Sequence, residues 1–146
     1  MTLAAQKTAP PEIEIRLDPS MPRLFVTLQG DTTGHQVATA LARCYLANPE
    51  VVRWDMLFDL RTYRGAVEAD HVKIIVDAYE RCDPDSKLPC RTAFVTPDKN
   101  FRLWAAAMSF QFKGREHQAF ATFAEAEAFL GEPMGERKPF EAVEPR

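Results

Sequence analysis

The sequence predicts an α/β fold: a mixed, mostly parallel five-stranded sheet with four helices, in the order β-β-α-β-α-β-α-β-α. Three observations carry that prediction. Glu12-Ile13-Glu14-Ile15-Arg16-Leu17 alternates strictly between polar and apolar residues, the mark of a strand with one buried face. Only Asp18-Pro19-Ser20-Met21-Pro22 separates it from a second strand, Leu24 to Leu28, so the two form a hairpin rather than a parallel crossover. From there on, short apolar runs alternate with segments of helical period. That pattern implies right-handed crossovers and a parallel sheet with the first strand as an antiparallel edge.

Each later element has its own signal. Gly30 and Asp31 break the second strand, and Thr33-Gly34-His35-Gln36 fits a capping box. Val37, Leu41, Cys44 and Tyr45 then recur at helical spacing until Asn48-Pro49 stops the helix. Met56 to Leu60 is the third strand and Arg61 to Gly65 its exit loop. The second helix is expected over about residues 67–82, with Val67, His71, Ile74, Ile75, Ala78 and Tyr79 toward one side. Glu68 and Asp70 fall in its first turn, where the helix dipole favours acids. Residues 83–89 form a loop, and Thr92 to Val95 the fourth strand. Thr96-Pro97-Asp98 reads as a helix start, followed by the stripe Phe101, Trp104, Ala105, Met108 and Phe112. A fifth strand is expected around Gln118 to Ala121 and a second capping box at Thr122-Phe123-Ala124-Glu125. Phe129 and Leu130 pack the last helix, which Gly131 ends. Residues 1–11 read as a flexible lead, 12–131 as one domain, and 132–146, with three prolines and little to bury, as a disordered tail.

Composition narrows the function classes. A chain of 146 residues with 46% apolar and 27% charged residues is balanced like a single soluble globular domain. A net charge of −3 lacks the basic excess of a nucleic-acid binder. MTLAAQKTAP has no apolar core of the signal-peptide kind, and no apolar run approaches the roughly 20 residues of a membrane helix. A cytoplasmic location is the resulting expectation. Cys44, Cys82 and Cys90 form no C-x-x-C pair, which argues against a disulfide framework and a zinc site. Cys44 and Cys82 fall in helical patterns as small buried hydrophobes.

The ordered set VTLQGDTTG, helix, MLFDLRTYRG, helix, FVTPDKNF, FATFAEAEAFL resembles the SpoIIAA-like proteins, also called STAS or Sec14-type domains. The resemblance covers about residues 12–131. It implies a mixed sheet with packed helices, and regulatory or ligand-binding roles rather than catalysis. It also implies that sporulation-type members carry a phosphorylatable Ser at the start of the helix after the third strand. In this chain Gly65-Ala66-Val67-Glu68-Ala69-Asp70 contains no Ser or Thr, and Ala69 lies about where that residue would be. The phosphoswitch does not carry over; the resemblance is to a branch lacking the phosphorylatable Ser.

Ligands of open parallel sheets bind outside the carboxyl ends of the strands. Three junctions should meet there: Asp31, Thr32, Thr33 and His35 after the second strand; Asp59, Arg61, Thr62, Tyr63 and Arg64 after the third; Thr96, Asp98, Lys99 and Asn100 after the fourth. Each feeds a helix N-terminus, which favours anions, and Arg61, Arg64 and Lys99 add positive charge. Simpler roles account for several of these residues. Thr33, Thr96 and Thr122 serve as caps, and Asp59 serves as a structural acceptor for backbone or Arg donors. His71 packs partly buried.

No catalytic or metal site is expected. His35, His71 and His117 lie in different elements without a nucleophile motif or a metal-ligand spacing, and the Gly-x-x-x-Gly run lacks the P-loop ending. No cofactor is expected either. The third helix is unusually aromatic, and Trp104, Met108, Phe110 and Phe112 are the residues of a candidate apolar groove, with Phe110 and Phe112 on different faces. Two functions follow. The first is a non-enzymatic regulatory or protein-binding domain acting through the rim on a protein partner or small ligand. The alternative is a small-molecule or lipid binder with an apolar pocket near the third helix. An enzyme is the third reading, with no catalytic group to support it.

Overall fold

The computed structural model describes residues 12–83 and 89–138. The expected lead (1–11), part of the loop after the second helix (84–88) and the end of the expected tail (139–146) lie outside the described residues. β1 (Glu12–Asp18) and β2 (Arg23–Gly30) form the antiparallel hairpin, with Ile13 opposite Leu28, Ile15 opposite Val26 and Leu17 opposite Leu24. Then follow α1 (Gly34–Ala47), a 3-10 turn (Pro49–Arg53), β3 (Asp55–Tyr63) and α2 (Ala69–Cys82). β4 (Cys90–Val95), α3 (Phe101–Gln111), β5 (Arg115–Phe120) and α4 (Phe123–Leu130) complete the α/β alternation, with a final 3-10 turn at Met134–Glu136. The sheet order is β1-β2-β3-β4-β5, antiparallel at the first pair and parallel at the rest.

That order decides where the helices go. Successive right-handed crossovers advancing in one direction put α1, α2 and α3 on the same face. α4 follows the last strand and covers the other face. β3 between them is buried on both sides, which is why Met56-Leu57-Phe58 is a continuous apolar run. Met56, Phe58 and Leu60 join Leu24, Val26 and Leu28 of β2 against Val37, Leu41 and Tyr45 of α1 and Val72, Ile75 and Tyr79 of α2. Leu57, Ala93 and Val95 pack instead on Ala126 and Leu130 of α4.

The Thr33 capping box forms as expected: its hydroxyl accepts from the Gln36 N–H at 3.1 Å, and the Gln36 amide accepts from the Thr33 N–H at 2.9 Å. Thr122 caps α4 through the Glu125 N–H at 3.2 Å. Elsewhere the boundaries differ from expectation. Arg61 to Tyr63 belong to β3, because β2 also runs further and pairs Gln29 with Thr62 and Gly30 with Tyr63. Thr96 does not cap α3. Its hydroxyl accepts from the Asp98 N–H at 3.2 Å, and Asp98 accepts from the Asn100 N–H at 2.9 Å, two local turns that postpone the helix to Phe101. Ile74, expected on the buried side of α2, is at the surface. β5 begins at Arg115 rather than Gln118, pairing Arg115 with Cys90 of β4.

Two buried arginines explain much of the rest. Arg115 is 1% exposed and has every N–H satisfied. Nε donates to Tyr79 Oη, Nη1 to Arg91 O and Thr92 Oγ1, and Nη2 to Val52 O and Trp54 O, at 2.7 to 3.3 Å. Arg137 lies in the segment expected to be a disordered tail, yet it is buried. It holds Asp55 bidentately at 2.8 and 2.6 Å and donates to the carbonyls of Pro89, Leu130 and Glu132. The expected tail therefore begins with an anchored segment. A low-hydrophobicity stretch can be held by one residue when that residue meets a buried carboxylate.

Losing Arg137 leaves the buried Asp55 carboxylate without its cation, a change that costs about 3–5 kcal/mol. A chain ending after residue 131 should therefore unfold at lower denaturant than one ending after residue 138, and Arg137→Ala in the full chain should reproduce most of the loss. Equal urea midpoints for the two lengths would show that the clamp contributes nothing.

Candidate functional site

α1 packs along α2 and α3 packs on β5, which leaves a gap between α2 and α3 over the sheet. Beneath it lies a cavity of about 350 Å³. Its walls are apolar, with Leu28, Phe58, Leu60, Ile75, Phe94 and Met108 prominent. At the carboxyl end of the strands its mouth is edged by Tyr63, Gly65, Thr96, Asp98 and Asn100. At the amino end Tyr45, Tyr79, Thr92, Arg115 and His117 form its floor.

A register shift builds the mouth. Between Thr27 and Gln29 of β2, β3 advances from Asp59 to Thr62, one residue more than its partner. Such a bulge inverts which residues face the helices. Met56, Phe58 and Leu60 line the cavity before it and Tyr63 after it, so an odd-numbered side chain continues an even-numbered row. Gly65 then passes so close to the preceding loop that a Cβ would stand 2.2 Å from Thr32 O and 2.6 Å from Tyr63 Oη. Gly34 is equally constrained, with a Cβ only 2.3 Å from His71 Nδ1 and 2.4 Å from Ala66 O. Tyr63 Oη is buried in this corner with no hydrogen-bond partner among the described residues.

The floor is polar but uncharged apart from Arg115. Burial works against the Arg115 charge, but Tyr79 and Cys90 favour it, and its pKa lies above the ordinary arginine value. Burial, then the Arg115 charge, push the His117 imidazole down to about 3, so the ring is neutral. It stacks on Phe94 and lies tilted against Phe112, with centroids at 5.9 and 5.3 Å. Its Nδ1 lies 3.3 Å from Arg115 O. A carbonyl only accepts, so that nitrogen carries the proton and Nε2 is left as an acceptor. Burial raises the Tyr45 phenol, whose hydroxyl donates to Met56 Sδ at 3.4 Å. Burial likewise raises the thiols of Cys44, Cys82 and Cys90, which are therefore poor nucleophiles. An anion about 6 Å from the guanidinium would gain roughly 3 kcal/mol at an effective dielectric of about 20. Dehydrating a carboxylate costs several kcal/mol, and no Arg115 N–H is left to compensate it.

The residues singled out from the sequence fall in three places. Tyr63 and Asp98 edge the cavity mouth, and Trp104, Met108 and Phe112 line the cavity itself. Phe110 points away and is exposed. Asp31 and Arg64 pair at 3.4 Å on the surface, and His35, Thr62 and Lys99 are exposed as well. Thr32 is buried, and its hydroxyl donates to Gln29 O at 2.8 Å.

Asp59 and Arg61 face the opposite side of the sheet, toward α4. Arg61 holds Asp59 through Nε and Nη2 at 3.0 and 3.1 Å and lies over the Phe123 ring. Burial acts to raise Asp59, but the Arg61 hydrogen bonds outweigh it and lower the carboxyl. His71, partly buried, accepts the Glu68 N–H at 3.0 Å and so caps α2. Glu68, Asp70 and His71 are the one group of possible metal ligands that cluster among the described residues. They sit at the surface around that cap.

The cavity floor was missed at the sequence level. The signal was Arg115-Glu116-His117: two polar residues at strand spacing, on one face of a strand that begins earlier than its apolar part suggests.

His117 makes stability acid-sensitive with a definite sign. Its folded pKa is depressed to about 3, while the unfolded ring titrates near 6.5. Between those values the unfolded chain binds the extra proton, so stability falls as pH falls, by up to about 1.4 kcal/mol per pH unit. Urea midpoints measured from pH 7 to pH 4 should fall less steeply for His117→Phe than for the wild type. Parallel curves would mean that the ring does not stay neutral in the fold.

No family model and no curated protein matches the chain. Among solved structures, it is similar to the crystal structure of an uncharacterised protein from Shewanella loihica PV-4, of the DUF3478 family with a SpoIIAA-like fold. The TM-score is 0.59 at 15% identity, over 86% of this chain and 99% of that one. Among the described residues no helix is long and apolar enough to cross a membrane. At that identity the likeness is one of architecture: the chain has a SpoIIAA-like fold.

Proposed function

We propose that this domain binds a small, mainly apolar molecule between the sheet and the α2–α3 gap, and that it acts as a regulatory or binding module rather than an enzyme. The observation that carries this reading is the cavity of about 350 Å³ with apolar walls and a mouth at the carboxyl rim. Ligand pockets run from about 300 to 1,000 Å³ and combine apolar walls with a few convergent polar groups. The rim gives the module a means of signalling. Asp31, His35, Arg64 and Lys99 are exposed in the segments that follow β2, β3 and β4, the same junctions that supply the mouth residues Tyr63, Gly65 and Asp98, so a protein partner docking there would meet a surface shaped by the cavity's contents. A non-catalytic role is supported by the floor chemistry: Thr92 Oγ1 accepts from Arg115 and His117 is neutral, with no thiol among the described residues of the lining.

Trp104 reports on occupancy directly. In a Trp54→Phe background it is the single remaining tryptophan, and it lines the cavity. Apolar ligands should shift its emission and raise the melting temperature. Val72→Phe, which adds a ring to the wall, should abolish both responses while leaving the circular dichroism spectrum intact. Unchanged Trp104 emission across a panel of apolar compounds would count against the reading.

A further inference from the structure

We propose that the cavity selects an uncharged, mainly apolar molecule bearing a hydroxyl group, and that this hydroxyl donates to Nε2 of His117. The inference rests on the reading of the cavity as a ligand site and extends it to the chemistry that site recognises. His117 is 6% exposed and is pinned by Phe94, Phe112 and the carbonyl of Arg115. With the proton held on Nδ1 by that carbonyl, Nε2 presents a lone pair and has no hydrogen-bond partner among the described residues. A lone pair at the end of an apolar cavity calls for a donor. An alcohol or phenol supplies one; an ether, an ester or a carboxylate does not.

Arg115 explains why the ligand is uncharged. A cation on the floor would ordinarily recruit an anion, but all five of its N–H groups already point at protein oxygens. A carboxylate entering the cavity would give up its water and receive no guanidinium hydrogen bond in return. Tyr63 Oη, another polar group of the lining without a partner among the described residues, is neutral too. The arrangement is thus the reverse of a fatty-acid site, in which arginine donors are left free for the headgroup.

A displacement series on the full-length chain tests this. The neutral dye N-phenyl-1-naphthylamine serves as the fluorescent probe, and 1-decanol, decyl methyl ether and decanoate at pH 8 serve as competitors. The dye should bind, and decanol should displace it at about tenfold lower concentration than either of the others, the fold-change of one buried hydrogen bond. In His117→Phe the alcohol should lose its advantage over the ether. Decanoate equalling or surpassing decanol would overturn the uncharged-ligand proposal while leaving the cavity reading intact. Decanol and the ether competing equally in the wild type would overturn the role of His117, and that comparison decides even if the variant fails to fold. Absence of dye binding altogether would remove the cavity reading itself and this inference with it.

Discussion

Arg115 stands at the first position of β5 with no carboxylate against it among the described residues, and separate parts of the chain turn oxygen atoms toward it. They are Tyr79 near the end of α2, Arg91 and Thr92 of β4, and Val52 and Trp54 from the 3-10 turn and the approach to β3. A buried guanidinium is tolerable only when each N–H is met, because every unmet donor carries its full desolvation cost. None of these segments can slide without orphaning a donor. On the other face Arg137 does the same for the start of β3, where Asp55 also accepts the Arg91 N–H at 3.0 Å. Both clamps act at the amino ends of the strands. The carboxyl ends carry instead a bulge, two close-packed glycines and exposed charged side chains. The molecule is thus fastened by buried arginines at the floor of its cavity and by close backbone packing at the mouth.

The fold was legible because its information is local and periodic. The hairpin, the Thr33 box and the strand–helix alternation each depend on residues within a few positions of one another. What escaped was non-local. Arg115 looks like a strand terminator until its acceptors, up to 63 residues away, are known. Arg137 looks like part of a solvated tail until Asp55, 82 residues earlier, is seen beside it. Thr96 has the chemistry of a cap, but it accepts from the Asp98 N–H, Asp98 in turn accepts from the Asn100 N–H, and these two turns delay the helix to Phe101. Asp59 and Arg61 look like rim residues because the loop was expected to start at Arg61; strand pleating sends both to the α4 side. Trp104, Met108 and Phe112 of the aromatic stripe share a face at helical spacing and line the cavity, whereas Phe110 does not. The cavity's polar floor had no comparable pattern.

Ala69, where the resemblance would place a phosphorylatable serine, opens α2 just beyond Gly65, Ala66 and Val67, which line the cavity. In this chain the element that follows β3 therefore borders a volume rather than carrying a hydroxyl. Two of the arginines at the carboxyl end of β3 are paired within the domain, Arg64 with Asp31 and Arg61 with Asp59 on the far face.

The cavity over the sheet also bears on how the molecule responds to compression. Unfolding under pressure is driven by the elimination of internal void, with volume changes of roughly −20 to −100 mL/mol in ordinary domains. A cavity of about 350 Å³ between the sheet and the helices is lost when the chain unfolds, and its loss contributes to that change. A bound molecule would then stiffen the domain mechanically by occupying the volume that pressure exploits.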